Sequence, residues 1–161
     1  DAAEADAPRA DEDRIEDALI RPKGAATIVK TRFVAAGQQL LRLDDEAATH
    51  SGYDDKAVFQ GAGAILLSDY AKGVVDDGAI QAALWAGAEY GAPVIVDPKG
   101  RDFARYGAVD VIKPNASELA GATGLPTETD EQVEAALAAL LAATTAKAVI
   151  VTRAGKGMTQ E

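Results

Sequence analysis

Asn115 and Glu118 are the residues of this sequence whose types and spacing best suit phosphate chemistry. They lie three positions apart in Asn-Ala-Ser-Glu, after an apolar run and before a helical stretch. An amide and a carboxylate placed in this way are able to hold a hydrated Mg²⁺ beside nucleotide phosphates, and a helix N-terminus adds a favourable dipole. The same spacing also describes a capping box, with Asn115 as the N-cap. The two interpretations are compatible, because a capped helix end is a place where anions dock.

Polar and charged residues follow four short apolar runs. Each run is too short for a helix and is bounded by turn residues, which indicates a buried strand. The runs are Ala64–Leu67, Val94–Val96, Val109–Ile112 and Ala148–Val151. The residues that follow them are Ser68–Asp69–Tyr70, Asp97–Pro98–Lys99, Lys113–Pro114–Asn115 and Thr152–Arg153. Because ligands of parallel sheets bind outside the carboxyl ends of the strands, we predict a ligand site at this edge.

Helical patterns separate these runs. Residues 75–90 form one predicted helix that stops at Gly91, and its predicted buried face consists of Ile80, Ala83, Leu84, Gly87 and Ala88. Residues 130–144 form another, with Thr129 and Gln132 as a capping box and a buried face of Val133, Ala136, Leu137, Leu140 and Leu141. A shorter helix is predicted over 116–122, ending at Gly124. Strands that alternate with helices predict an α/β fold with a parallel sheet.

Each candidate site residue also has an ordinary structural explanation. Asp69 alone is typical of a turn or of a cap for the next helix, and Asp97–Pro98 is a common turn opener. Lys72 and Lys99 are either solvated loop charges or, on one rim of an acidic chain, a means of gathering an anion such as a sugar phosphate. The glycine-containing loop 152–158 is either a plain hairpin turn or a place where backbone approaches a ligand closely.

Composition narrows the class of protein. The 161 residues suffice for one core, and the net charge of −10 argues against nucleic-acid and anionic-membrane partners. Phosphate chemistry must therefore use local positive groups, backbone amides or a divalent metal. There is no cysteine and no long apolar run, so we expect a cytoplasmic protein without disulfides or a membrane span. Residues 1–26 lack a sustained apolar face and are predicted to be a poorly anchored lead-in.

A β-hairpin is predicted before the alternating region. Thr27–Val34 and Gln38–Leu43 are β-prone and are separated by Ala-Ala-Gly. A lone two-stranded ribbon is marginal in water, so this one needs a domain face or another subunit to lean on.

The chain resembles the ribokinase-like, or PfkB-type, carbohydrate kinases from about residue 25 to its last residue. The segments that carry the resemblance are TIVKTRFVAAGQQLLRLDDE, LLSDYAKGVV, VIVDPKGRDFARY, KPNASELAGATG and VIVTRAGKGM. Within the family they are most similar to the kinases of D-glycero-β-D-manno-heptose 7-phosphate. The resemblance implies a partial ribokinase-like α/β domain over 45–161, with a parallel sheet flanked by helices, and a β-hairpin lid over 27–44. It also implies ATP as co-substrate and Mg²⁺ as cofactor.

Roles for individual residues follow from the resemblance. The implied ATP and magnesium contacts are Asn115, Ala116, Ser117, Glu118, Thr152, Arg153, Gly155 and Gly157. Of these, Asn115 and Glu118 are expected to act on the metal through water. The implied phosphosugar or charge-neutralising contacts are Asp69, Lys72, Asp97 and Lys99. The lid contacts are Arg32, Gln38 and Arg42, and the lid of this family commonly pairs with its twin in a homodimer.

The implied activity is phosphorylation of the anomeric hydroxyl of the heptose 7-phosphate, on the way to ADP-heptose and the lipopolysaccharide core. The alternatives are a kinase for another phosphosugar and a non-catalytic module that binds a nucleotide or phosphosugar or dimerises. Residues 1–161 contain neither the family's Gly-Gly sugar-binding segment nor its Gly-Ala-Gly-Asp, whose aspartate is the general base. We therefore expect this chain by itself to be inactive or nearly so.

Overall fold

The computed structural model describes residues 18–19, 28–45 and 56–161. The lead-in predicted over 1–26 lies outside these ranges except for residues 18 and 19. The described elements are β1 (Val29–Ala35), β2 (Gln38–Asp45), β3 (Ile65–Ser68), α1 (Asp77–Tyr90), β4 (Val94–Asp97), β5 (Val111–Ile112), α2 (Ala116–Thr123), α3 (Asp130–Ala143), β6 (Ala148–Thr152) and β7 (Met158–Gln160). Single turns of 3₁₀ helix cover Lys56–Phe59, Ala104–Tyr106 and Ala154–Lys156.

A five-stranded sheet in the order β3-β4-β5-β6-β7 forms the centre of the α/β region. β3 to β6 are parallel, and β7 returns antiparallel to β6. All four predicted runs therefore form strands, although β5 is confined to Val111–Ile112 instead of the predicted 109–112. Because the parallel strands step across the sheet in one direction, right-handed crossovers place the connecting helices on one face. Residues of α1, α2 and α3 accordingly share one apolar core with inward residues of the sheet, such as Val96 and Val149.

The ends of the helices lie where local sequence signals place them. Gly91 and Gly124 end α1 and α2 in left-handed conformations, with φ of 67° and 72°. Thr129 and Gln132 form the predicted capping box of α3. These signals depend only on residues within one helical turn, so the sequence alone suffices to find them.

The buried face of α1 differs from the prediction. The sequence pattern predicts a buried Ala88, but this residue is exposed, whereas Ala79, Ala82 and Ala86 are buried together with Ile80 and Ala83. Alanine occupies many positions around this helix, so residue type does not select one face. The close approach of helix to sheet selects it instead, because a Cβ added at Gly87 would lie 2.6 Å from Cγ2 of Val94.

The predicted hairpin is present as an antiparallel pair of β1 and β2. Its two-residue turn, Ala36 and Gly37, has φ of 49° and 77°, the positive values that a type I′ turn requires. Nearly every residue of both strands is exposed, including Phe33 and Leu41. Among the described residues, no helix has the length and apolar character needed to cross a membrane.

Candidate functional site

The carboxyl ends of the parallel strands share one edge, as predicted. Backbone hydrogen bonds continue past the strands and join neighbouring ends. The amide of Asp69 donates to the carbonyl of Asp97 at 3.0 Å, and that of Thr152 donates to the carbonyl of Pro114 at 2.9 Å. The four polar endings are therefore held in register along a single rim.

Asn115 and Glu118 form a complete capping box at the start of α2. The Asn115 side chain accepts from the Glu118 amide at 2.9 Å, and the Glu118 carboxylate accepts from the Asn115 amide at 2.8 Å. The other oxygen of Glu118 accepts from the ammonium of Lys99, which extends from the end of β4. This hydrogen bond raises the pKa of Lys99, against the opposing effect of burial. The capping interpretation is thus confirmed, and Lys99 is an ion-pair partner of α2 and not the solvated loop charge of the alternative interpretation.

The donor set at the start of α2 suits a magnesium ion that arrives with a nucleotide. Among the described residues, no three acidic or histidine side chains converge on a protein-only metal site. Magnesium is usually held by one or two carboxylates together with substrate phosphates and water. Glu118 supplies one carboxylate and Asn115 an amide oxygen, beside amides at a helix N-terminus that favour negative charge. The residues present therefore fit a phosphate-bound magnesium and not an isolated one.

A cavity of about 770 Å³ opens beside the first turn of α2 and the loop that follows β6. That loop is a hairpin turn, in which the Arg153 amide donates to the Gly157 carbonyl at 2.8 Å. The hairpin alternative is therefore confirmed, although this turn also forms one wall of the cavity. The predicted ATP contacts that line the cavity are Asn115, Ala116, Ser117, Thr152, Arg153 and Gly157, whereas Glu118 and Gly155 are not among its lining residues. Sequence reasoning missed Thr127, Ala154, Lys156 and Met158.

Two contacts fasten this hairpin turn to the start of α3. The Arg153 guanidinium, whose side chain is only 9% exposed, donates to Asp130 at 2.5 Å. The Lys156 ammonium donates to the carbonyl of Glu128 at 3.3 Å. The hydrogen bond from Arg153 lowers the pKa of Asp130. Arg153 thus lines the cavity, and its guanidinium is engaged by α3.

Asp69 is a buried residue at the end of β3, with 2% of its surface exposed. Its carboxylate accepts from the amide of Ala71 at 2.7 Å, which confirms the turn interpretation. The cap interpretation is wrong, because Asp76 caps α1 by accepting from the Ala79 amide. Asp69 is therefore held within the protein and does not extend freely from the rim.

Arg105 and Tyr106 are the partners of Asp69 that sequence reasoning missed. The guanidinium of Arg105 and the hydroxyl of Tyr106 each donate to Asp69 Oδ2 at 2.9 Å. They lie in the connection between β4 and β5, more than thirty residues after Asp69. The available sequence signal was the Phe-Ala-Arg-Tyr of that connection, which does not by itself indicate a partner.

The centre of the rim carries alternating charges. Lys113, which follows β5, pairs with Asp97 at 3.3 Å, and Lys99, which follows β4, pairs with Glu118. The sequence places Lys113 in a strand ending without marking it as a candidate contact, and the structure adds it to the charged residues of the rim. Lys72 follows Asp69 in the β3–α1 connection and is half-buried.

The predicted lid contacts lie on the hairpin. Arg32 is directly opposite Arg42 across the two strands, and Arg42 pairs with Asp44 at 2.9 Å. Gln38 is paired with Ala35 beside the turn, away from the arginines. The hairpin thus brings two of the three predicted contacts together.

Comparison with known proteins places this architecture in a family. Residues 11–159 match the family described as pfkB family carbohydrate kinase. The chain is 46% identical over 148 residues to the bifunctional protein HldE of Hyphomonas neptunium, covering 87% of this chain and 30% of that protein. It is 45% identical over 158 residues to the bifunctional protein HldE of Rhodospirillum rubrum, covering 92% of this chain and 32% of that protein. The chain therefore spans about a third of the length of these curated relatives.

Solved structures agree with this assignment. The structure of Arabidopsis thaliana ribokinase complexed with ribose and ATP has a TM-score of 0.59 and 27% identity, over 78% of this chain and 41% of that one. The ribokinase of Giardia lamblia has a TM-score of 0.66 at 18% identity, over 85% of this chain and 48% of that one, which bears on the fold alone. The chain belongs to the pfkB family of carbohydrate kinases.

Proposed function

We propose that this chain carries nucleotide-binding and phosphosugar-binding parts of a kinase that transfers the γ-phosphoryl group of magnesium-bound ATP to the anomeric hydroxyl of D-glycero-β-D-manno-heptose 7-phosphate. The product would lead to ADP-heptose for the lipopolysaccharide core. The similarity to bifunctional HldE proteins supports assignment to the same subgroup of the family. The choice of the heptose phosphate as substrate rests on the sequence resemblance.

The observation that carries the proposal is the position of the Asn115–Glu118 box beside a cavity of about 770 Å³. Phosphoryl transfer depends on holding phosphates and neutralising charge rather than on covalent chemistry by the protein. The backbone amides at the start of α2, and those in the hairpin turn after β6, are suited to binding the phosphates of ATP. Mg²⁺ would be held by the phosphates, with Glu118 and Asn115 acting through water, and would neutralise charge on the transferring group.

The β3 and β4 ends are assigned to the phosphosugar side. Lys99 lies between the predicted nucleotide cavity and the end of β4, where its ammonium is suited to charge on the transferring phosphoryl group. Lys72 is assigned to the sugar phosphate, while buried Asp69 acts by holding the segment that carries Lys72. Because Asp97 pairs with Lys113, the role proposed for Asp97 is to position the ammonium of Lys113 at the rim. No general base is assigned within residues 1–161.

The hairpin is proposed to serve as lid and dimer contact. Val29, Phe33, Leu41 and Leu43 share one exposed apolar face in the observed register, which is suited to a second copy of the hairpin. Arg32 and Arg42 share the opposite face. Like charges directly opposite each other are unfavourable, and Asp44 offsets part of this repulsion by pairing with Arg42. The remaining positive charge is assigned to a substrate phosphate.

The test uses the polypeptide encoded by the natural reading frame that contains this chain. Initial rates are measured with Mg-ATP on D-glycero-β-D-manno-heptose 7-phosphate and on fructose 6-phosphate, and Mg-ATP binding is measured by calorimetry. We expect turnover with a clear preference for the heptose phosphate. Preference for fructose 6-phosphate would refute the sugar assignment, and binding of Mg-ATP without turnover of either sugar would refute the catalytic one.

A further inference from the structure

Arg105 joins the two ends of the connection between β3 and α1. Its guanidinium donates to Asp69 at 2.9 Å, where the connection begins, and to the carbonyl of Val75 at 3.1 Å, where it ends. It also donates to Asp77, the first residue of α1, at 3.3 Å. One side chain from the β4–β5 connection thus fixes both ends of the segment 70–74.

Tyr106 completes the anchor at Asp69. Its side chain is fully buried, and its hydroxyl donates to the carboxylate oxygen that also binds Arg105. Burial raises the pKa of Tyr106, and the hydrogen bond to Asp69 raises it further, so the hydroxyl remains a donor throughout the neutral range. Burial alone would lower the pKa of Arg105, but the bond to Asp77 and the nearby Tyr106 and Asp69 more than offset this and raise it. Both donors therefore keep their protons under working conditions.

The segment between these anchors has a conformation that needs support. Ala71 has a φ of 55°, a left-handed value that residues with a Cβ rarely adopt, and its amide is bound by Asp69. Tyr70 on one side of it is 65% exposed, and Lys72 on the other is half-buried. The buried carboxylate of Asp69, held by its two donors, thus stabilises the left-handed turn directly.

We infer that Arg105, together with Tyr106, is a positioning residue that fixes the backbone of segment 70–74 and thereby the place of Lys72 at the sugar side of the rim. This inference rests on the proposed function, in which Lys72 contacts the phosphosugar. Arg105 is not a catalytic residue, because it acts through Asp69 and the segment. Lysine cannot replace it fully, since one ammonium does not span both ends of the segment.

The experiment compares Arg105→Gln, Arg105→Lys and Tyr106→Phe in the polypeptide of the natural reading frame. Hydrogen–deuterium exchange of peptides covering 69–77 measures the protection of the segment directly. The matched control is Arg101→Gln, which removes an exposed arginine from the same β4–β5 connection. We expect exchange over 70–74 to rise about tenfold or more in Arg105→Gln and less in Arg105→Lys and Tyr106→Phe, with no change in the control. Exchange in peptides of α3 reports on general unfolding. If exchange in α3 is also faster in Arg105→Gln, that variant is destabilised as a whole, and Arg105→Lys is then compared with the control in its place.

Kinetics then test the link to the substrate. With heptose 7-phosphate we expect Arg105→Gln to raise the KM for the sugar about tenfold while the KM for ATP stays within about twofold. Unchanged exchange over 70–74 would overturn the inference whatever the kinetics. Faster exchange with an unaltered sugar KM would overturn it as well. If the unsubstituted protein turns over no phosphosugar, the proposed function fails, while the exchange data still decide whether Arg105 fixes the segment.

Discussion

Glu118→Gln is the substitution that best separates the two roles of the box at the start of α2. Glutamine at this position keeps the capping box, because its amide oxygen accepts from the Asn115 amide as the carboxylate does. What is lost is the negative charge and with it the ion pair to Lys99, whose side chain is 38% exposed. Such partly exposed pairs contribute about 1 kcal/mol or less, so the melting temperature should fall by only about 2–4 °C.

The effect on nucleotide binding should be much larger. A carboxylate that holds the water shell of a phosphate-bound magnesium contributes about 1.5–3 kcal/mol, as other hydrogen bonds to charged groups do, and its removal corresponds to roughly a 10- to 150-fold loss of Mg-ATP affinity. Glu118→Ala should lose the same Mg-ATP affinity. Its free energy of unfolding should also fall by about 1 kcal/mol, because the capping box is broken. The measurements are calorimetric titration with Mg-ATP and thermal melting of the same samples.

The second capping box of the chain provides the control. Gln132→Ala breaks the box of α3, in which Gln132 accepts from the Thr129 amide at 3.3 Å, and should cost about 1 kcal/mol without changing Mg-ATP affinity. If Glu118→Gln binds Mg-ATP within about twofold of the unsubstituted protein, Glu118 is a structural cap only and the reasoning about magnesium is wrong.

Three further predictions concern stability and are tested by urea unfolding. Gly87→Ala should destabilise the chain by about 1–3 kcal/mol despite the better helix propensity of alanine, because its Cβ would lie 2.6 Å from Val94; a more stable variant would contradict this. Asp110→Ala should cost about 1.5–3 kcal/mol at pH 7, since the carboxylate accepts from the Val94 amide at 2.7 Å. The hydrogen bond from Lys147 lowers the pKa of Asp110 from 3.8, so this stabilisation is present above that value and is lost as pH falls through the lower pKa of the folded state. If the difference in free energy of unfolding between the unsubstituted protein and Asp110→Ala does not become smaller below about pH 4, this account of Asp110 is refuted. Ala154→Gly should raise stability by up to about 1 kcal/mol, because it relieves a φ of 49°, and a clear loss would show that the strain is absent.

Much of the fold was predictable because its signals are local. Apolar runs bounded by turn residues locate the strands, and the boxes at 115–118 and 129–132 and Gly91 and Gly124 locate helix ends, since each depends on neighbours within one turn. The rim could be predicted for a related reason. Alternation of strands with helices is typical of a parallel sheet, in which the polar strand endings meet at one edge. The pattern holds here even though β4 and β5 are joined by a single 3₁₀ turn in place of an α-helix.

The tertiary structure decided what depends on partners far apart in the chain. The alanine-rich α1 has several possible apolar faces, and only packing against the sheet chose the one that contains Ala79 and Ala86. The sequence places Asp69 at the end of a strand, but it is Arg105 and Tyr106, 36 and 37 residues along the chain, that hold its carboxylate inside the protein. The sequence determined which residues stand at the rim. The fold decided which of them are held inside and which line the cavity, because burial and long-range hydrogen bonding exist only once distant segments are packed together.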